Sequence, residues 1–446
     1  MARSRPSRPL ICVIGATGTG KSQLAVEIAK RYNGEIINGD AMQLYAGLPV
    51  ITNKITPEER QGIPHHLLGC IGLHEQTWVV GAFVRNALKV IEEIRSRGKL
   101  PILVGGTHYY TQSLLFKDRL AEKEEAEEEF VENMADKWPI LNESTAMLLE
   151  ELKRVDPVMA ERWHPKDRRK IQRSLEIYLQ TGRKASDIYA DQRARKSANG
   201  DAEDFRIPDG LSMRFSTLLF WIHAETNALR DRLDQRVEKM LQHGLLEEVD
   251  MLTDYARSQA EEGEAVDETR GIWVSIGYKE FKSYALARQQ DCTDVKRLSK
   301  LKAEGVEKTQ IATRQYSKRQ VKWIRIKLVN ALADAGATDR LYLLDGSDVS
   351  NFADVVVRPA LELTEQFLQG QNMPSPSSLS PVAAELLVPK REDFAATPQM
   401  WTKQHCSACE VTCVTPEQWK MHTGSKKHKK LVAKEKKNET TPDAPA

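Results

Sequence analysis

Long apolar runs are missing from this sequence. No stretch approaches the ~18–20 apolar residues that span a bilayer, which excludes an ordinary transmembrane helix. The longest compact apolar stretches, 10–14 and 100–104, are strand-sized. Cysteine is scarce, six in 446 residues, too few for a disulfide scaffold. Three of the six, Cys406, Cys409 and Cys413, fall within eight residues near the C-terminus. That clustering points to a metal in a reducing compartment. A dominant charge sign is also lacking. Lys+Arg number 65 against 63 Asp+Glu, so the molecule as a whole is no basic nucleic-acid coat, and charge has to be read segment by segment. The start, MARSRPSRPL, carries Arg3, Arg5 and Arg8 without an acid. It is too short and Pro-broken for an amphipathic presequence and reads as a disordered basic leader over 1–9.

What is present alternates. An apolar, β-rich stretch at 10–14 meets a glycine loop and then the helical pattern LAVEIAKRY. Short strands are expected at 35–38, 101–104, 217–224 and 341–347, with a helix at 77–97. Strands alternating with helices imply an α/β fold, a P-loop-type parallel sheet whose ligands bind at the strand C-terminal ends. Near residue 119 the character changes. AEKEEAEEEF at 121–130 holds six Glu in ten residues, a solvated helix face, and the sequence stays helical and charge-dense to about 200, with a loop at 192–205. The expected organisation is a catalytic core over 10–118 and 206–348, an inserted helical domain over 119–205, a linker over 349–400 that is rich in Pro and Ser from 371, a small zinc finger over 401–432 and a disordered tail over 433–446.

Gly15-Ala16-Thr17-Gly18-Thr19-Gly20-Lys21-Ser22 satisfies G-x4-G-K-[ST]. Glycines let such a loop wrap an anion with backbone N–H groups, and the following helix presents its positive end. Lys21 supplies a point charge, and the Ser22 hydroxyl can hold Mg²⁺. The loop has the form of an ATP-binding motif, but strand 101–104 ends in Gly105-Gly106-Thr107, where an NTP-hydrolysing relative places a metal-shell Asp. That argues for a diphosphate that leaves rather than one that donates phosphoryl. Asp40 follows the second strand. If strands 1 and 2 are neighbours it faces the cradle as a base; read alone, it is an ordinary turn residue.

The P-loop, the segment Gly39-Asp40-Ala41-Met42-Gln43-Leu44-Tyr45, then Gly62-Ile63-Pro64-His65-His66, Val104-Gly105-Gly106-Thr107-His108-Tyr109-Tyr110 and 164–173 occur in this order. Together they resemble the tRNA dimethylallyltransferases (tRNA isopentenyltransferases) over roughly residues 10–330, and the C-terminal module resembles their eukaryotic branch. The resemblance implies transfer of a dimethylallyl group from dimethylallyl diphosphate to N6 of adenosine 37 beside the anticodon, with release of pyrophosphate. It implies Asp40 as the catalytic base and Thr107 lining the reaction channel. The cradle residues, Thr19 and Lys21 foremost, with Mg²⁺, stabilise the leaving group. Arg232 and Arg236 lie one helical turn apart, and the resemblance implies that one of them reaches the diphosphate. The resemblance also implies that Asp40, Ala41, Met42 and Gln43 touch an extruded adenosine.

Two basic stretches could hold RNA backbone. One contains Arg169, Lys170, Ile171, Gln172 and Arg173; the other carries Arg314, Lys318 and Lys322 along one helical stripe, with Tyr316 and Trp323. Cys406-x2-Cys409-x12-His422-x5-His428 has zinc-finger spacing and suits a closed structural Zn²⁺ site. Over 401–437 nine Lys oppose three Glu; such a finger grips a tRNA stem or docks a protein. The anticodon stem-loop and dimethylallyl diphosphate are the expected partners of a monomer that binds no membrane. Its expected place is the cytoplasm, with mitochondrial or nuclear pools as alternatives. A small-molecule P-loop kinase with an appended finger is the rival reading, opposed by the missing strand-end Asp and by the finger's basic tail.

Overall fold

A computed structural model describes residues 5–75, 77–116, 137–198, 212–290, 293–390 and 403–439. The acidic run at 121–130 lies outside them. The chain divides into two compact units, one of residues 1–123 and 209–391, the other of 124–208 and 392–446.

The first unit is built on six parallel strands: β1 (Pro9–Gly15), β2 (Gly34–Asn38), β3 (His65–His66), β4 (Leu100–Val104), β5 (Ser216–His223) and β6 (Leu341–Asp345). Their order across the sheet is β3-β2-β4-β1-β5-β6. Both faces are covered, as a parallel sheet requires. Leu10, Cys12 and Ile14 of β1 join Leu219 and Trp221 of β5 in one core, while Ile11 and Val13 join Leu218, Phe220 and Ile222 in the other. Period-2 alternation thus feeds two hydrophobic layers at once. Among the described residues no helix is long and apolar enough to cross a membrane.

Strands 1 and 2, taken as possible neighbours from sequence, are not adjacent: β4 lies between them. Asp40 still reaches the cradle because the turn after β4 is so thin. A Cβ on Gly105 would lie 2.3 Å from the Gly39 carbonyl carbon, so the two backbones pass closer than any side chain allows. Gly105→Ala is therefore expected to lower stability by about 1–3 kcal/mol, the usual range for overpacking, and to cut activity as well. Thermal unfolding and turnover check this together; wild-type behaviour in both would show that the turn has room to spare.

The linker expected over 349–400 is folded in its first part. Helix Arg358–Gln369 lays Ala360, Leu363 and Phe367 on the sheet beside Phe352 and Val356, and Ala383 and Leu386 of helix Pro381–Leu386 enter the opposite core. The Pro- and Ser-rich stretch from 371 set the reading for the whole segment, although 358–369 holds a single Pro and no Ser. Residues 391–400 lie outside the description. After β5 come two helices, Thr226–Gln242 and Leu245–Glu261, divided at Gly244, whose φ of 102° an L side chain rarely adopts.

In the second unit, helices Thr145–Val155, Pro157–Arg162, Arg168–Thr181 and Ala185–Ala198 enclose a small core of Leu148, Leu152, Met159, Ile171 and Leu175. Buried Asp156 ties two of them, accepting from Met159 N at 3.2 Å and from Ser186 N at 2.9 Å. The last helix replaces the loop expected from 192, as far as residue 198. The same unit holds the hairpin β7 (Gln404–Cys406) and β8 (Val411–Cys413) and the helices Pro416–Gly424 and Lys426–Glu439. Helix continues to 439 where a disordered tail was expected from 433. Ser425 Oγ accepts from His428 N at 3.2 Å and starts it, and the Lys-rich run holds no Gly or Pro to stop it. The Lys403 ammonium donates to the Ala160 carbonyl at 2.6 Å, so the finger's first residues are tied to the helical part of its unit.

Candidate active site

The cradle, the Asp40 turn and the Gly105-Gly106-Thr107 turn leave the C-terminal ends of β1, β2 and β4. Gly20 takes φ 89°, and a Cβ there would sit 2.6 Å from the Phe352 ring. The loop is therefore pressed on the core as well as curved. Lys21 Nζ donates to Ala16 O at 2.7 Å, and Thr19 Oγ1 donates to the same carbonyl at 2.9 Å. The ammonium is thus folded back over the loop. Ser22, next in the helix Lys21–Arg31, is exposed.

Asp40 is held in a fixed turn. Its N–H donates to Asn38 Oδ1 at 3.0 Å, and its carboxylate accepts from Met42 N at 3.2 Å and from the Gly106 N–H. Ala41 N donates to Thr107 Oγ1 at 3.0 Å, and Gln43 Nε2 to Asn53 O at 3.1 Å. Met42 packs partly on the core. The segment expected to touch an extruded base is thus a turn whose polar groups are largely fixed.

Charge converges on the same turn. Burial raises the Asp40 carboxyl, against the pull of Lys21, the Met42 N–H and Arg236. Burial lowers the Lys21 ammonium to about 8, opposed by Asp40 and reinforced by Arg236. Arg236 is drawn down to about 10 by burial, with Asp40 opposing. Each of the three retains some solvent contact. Burial thus gives the Asp40 carboxylate a more basic oxygen than an exposed aspartate carries, while the two cations oppose that shift.

The two arginines part company. Arg236 faces Asp40 and Tyr316, whereas the Arg232 guanidinium donates to the Ser347 carbonyl and lies near Asp348. Of the basic stripe, Lys318 and Lys322 are exposed, but Arg314 spans both Asp234 oxygens at 2.6 and 2.9 Å and joins two helices instead of standing free. In the other unit Arg169, Lys170 and Arg173 are exposed and Gln172 is half-buried, bonded to Glu176. Ile171 is the correction there: its side chain is fully buried among Leu148, Leu152 and Leu175 and cannot meet RNA. An apolar residue in a basic run marks the inward face of its helix.

Gln320 escaped the sequence reading, and Tyr316 and His108, named there only within longer stretches, received no part in the site. Gln320 is buried; its Oε1 accepts from Thr17 N at 2.8 Å and its Nε2 donates to Gly106 O at 2.9 Å, bracing cradle and turn together. Tyr316 is hydrogen-bonded to Thr107 and Gln320, and burial followed by Asp40 pushes its phenol up, so it stays neutral. His108 is buried, and burial with Lys21 beside it lowers its imidazole to about 3. A signal for Gln320 existed. Thr309, Thr313, Ser317 and Gln320 repeat at helical spacing, and all four are buried; the basic stripe on the opposite face drew attention away from them.

The profile of the IPP transferase family matches residues 43–327. The chain belongs to the IPP transferase family. A zinc finger of C2H2 type matches residues 405–428. This IPP transferase is 36% identical to the tRNA dimethylallyltransferase of Schizosaccharomyces pombe over 96% of each chain. It is 33% identical to the human tRNA dimethylallyltransferase over 96% of this chain and 87% of that one. A crystallographically studied eukaryotic dimethylallyltransferase acting on tRNA superposes with a TM-score of 0.71 and 31% identity, over 97% of this chain and 98% of that one. The family profile begins beyond the cradle and Asp40, which the full-length relatives span.

In the finger, the ligand atoms of Cys406, Cys409, His422 and His428 all lie within 4.8 Å of one another. His428 Nδ1 is 3.5 Å from both sulfurs, and His422 Nε2 is buried without a hydrogen-bond partner. Two thiolates and two imidazoles at these separations fit tetrahedral Zn²⁺ with no open position, a structural site. Cys413 and His405 stand outside the set.

Proposed function

We propose that this chain transfers a dimethylallyl group from dimethylallyl diphosphate to N6 of adenosine 37, next to the anticodon of tRNA, and releases pyrophosphate. The placement of Asp40 opposite Lys21 and Arg236 in one recess carries this reading. The cationic side accepts the diphosphate; the carboxylate side accepts the base. As the N6 lone pair forms the C–N bond, the C–O bond breaks and its electron pair leaves with the diphosphate. The N6 proton passes to the Asp40 carboxylate. Adenine N6 is a weak nucleophile because its lone pair is delocalised, so a base poised beside it acts when the charge develops. Lys21, Arg236 and the remaining loop N–H groups meet the charge gained by the departing diphosphate. Of the two arginines, Arg236 takes this part, since Arg232 is engaged with Ser347. Thr107 holds the Ala41 backbone and Tyr316 and thereby shapes the channel.

The exposed Ser22 hydroxyl and the diphosphate oxygens form an all-oxygen set that suits Mg²⁺, which when bound offsets diphosphate charge. Lys318 and Lys322 on one unit, and Arg169, Lys170 and Arg173 on the other, contact tRNA phosphates. The ion pairs Lys170–Asp167 at 2.9 Å and Arg173–Glu176 at 3.4 Å are surface pairs that phosphate can displace. The chain acts as a monomer, in the cytoplasm, with mitochondrial or nuclear pools as alternatives. Incubation with labelled dimethylallyl diphosphate and bulk tRNA, followed by nucleoside analysis, tests the reading; label in any nucleoside other than prenylated adenosine would sink it.

The finger contributes affinity in this reading, not chemistry. Deleting residues 401–446 is expected to weaken tRNA binding and to flatten its salt dependence, because lysines that release counterions are lost. The single-turnover rate at saturating tRNA should persist. Unchanged affinity and salt slope would assign the finger to a protein partner.

A further inference from the structure

Beside the recess lies a second feature that the transfer chemistry leaves unused. Tyr109 is 44% exposed. Its ring meets Trp323 edge-on, with centroids 5.9 Å apart. The indole is locked, since Trp323 Nε1 donates to Gln112 Oε1 at 3.2 Å and Gln112 is itself buried. Exposed Lys318, Arg319 and Lys322 flank the pair on the same helix, Val295–Trp323. An exposed aromatic beside a fixed indole, ringed by cations, is suited to an unpaired nucleobase attached to a phosphate chain.

Its position is specific. Thr107, two residues before Tyr109, holds the Ala41 backbone of the Asp40 turn, and two peptide steps reach no further than about 7.6 Å. Trp323 lies three residues, one helical turn, beyond Gln320, whose amide braces the Gly106 turn. Both members of the pair thus lie a short chain distance from residues that hold the Asp40 and Gly106 turns. Extruding a base leaves its neighbour without a stacking partner, and aromatic side chains commonly take that place. We infer that Tyr109 and Trp323 form a stacking subsite for the nucleobase adjacent to the reacting adenosine, restoring the stacking that extrusion removes. The inference rests on the function proposed above and names a subsite of it.

Anticodon stem-loop RNAs lacking the base on the 5′ or the 3′ side of the target adenosine test it, with the full chain and dimethylallyl diphosphate. Tyr109→Ala should lower kcat/KM for the intact stem-loop by about tenfold or more, in keeping with a lost stacking contact, and leave the KM for the prenyl donor unchanged. Tyr109→Phe should retain wild-type values. Abasic RNA at one neighbour should lose a similar factor with the wild-type chain, and Tyr109→Ala should lose little more on that RNA. Multiplying losses at both neighbours, or a Phe variant as impaired as the Ala variant, would overturn the subsite while leaving prenyl transfer intact. A wild-type chain that prenylates no intact stem-loop would overturn the proposed function and the subsite with it.

Discussion

Asp40→Asn is expected to slow the chemical step by about 10²–10⁴-fold and to leave tRNA affinity close to wild type. The substitution keeps the shape of the side chain and its bond from Met42 N, so the turn should survive. What disappears is the acceptor for the N6 proton. A pH signature accompanies it. Burial raises the Asp40 carboxyl above the ordinary 3.8 of an aspartate. As pH falls, the wild-type rate should therefore drop at higher pH than an exposed carboxylate would cause, because protonation removes the base. The asparagine variant should lack that acid limb. Single-turnover rates across pH, with anisotropy for tRNA binding, measure both. Equal losses in binding and rate would make Asp40 a structural residue. There is also a secondary effect: Asp40 supports the charge on Lys21, so the variant should lose donor affinity at lower pH than wild type.

Lys21→Ala should reduce kcat/KM for dimethylallyl diphosphate by about 10- to 150-fold, the equivalent of the ~1.5–3 kcal/mol carried by a hydrogen bond to a charged group. Its effect on tRNA binding should be small. The wild-type ammonium sits near 8. In the free protein it loses its proton as pH rises through that value, and donor capture should weaken there. Below that range Lys21 is charged and capture is complete; a bound diphosphate extends the charged form upward by favouring it. Lys21→Arg stays cationic and should move the alkaline limb up. Initial-rate kinetics with the donor varied at several pH values give the answer. A Lys21→Ala chain impaired only in ATP turnover would install the kinase reading in place of prenyl transfer.

Much of the core was legible because its signals are local. Strands at 35–38, 101–104 and 217–224 are apolar runs too short for helices, and each lies within a residue or two of its observed place. The cradle needs eight consecutive residues, and the finger needs only ligand spacing. Misreadings arose where composition spoke louder than periodicity. The Pro- and Ser-rich stretch from 371 drew Arg358–Gln369 into the linker despite its apolar face, and a run of lysines read as a tail continues as helix to 439. Ile171 was carried into the RNA surface by its basic neighbours, though one helical turn of spacing places it inward.

The sequence alone determined the identity of the charged groups, the phosphate loop and the zinc ligands, because each depends on residue type at short spacing along the chain. Only the tertiary structure decided which of these groups share a recess. It placed β4 between the strands that carry the cradle and Asp40, and it turned Arg236 inward and Arg232 away. It also brought Gln320 back across some three hundred residues to brace the loop. Such choices depend on strand order and on which face of a helix the core buries. Contacts distant in sequence fix both, and no local pattern encodes them.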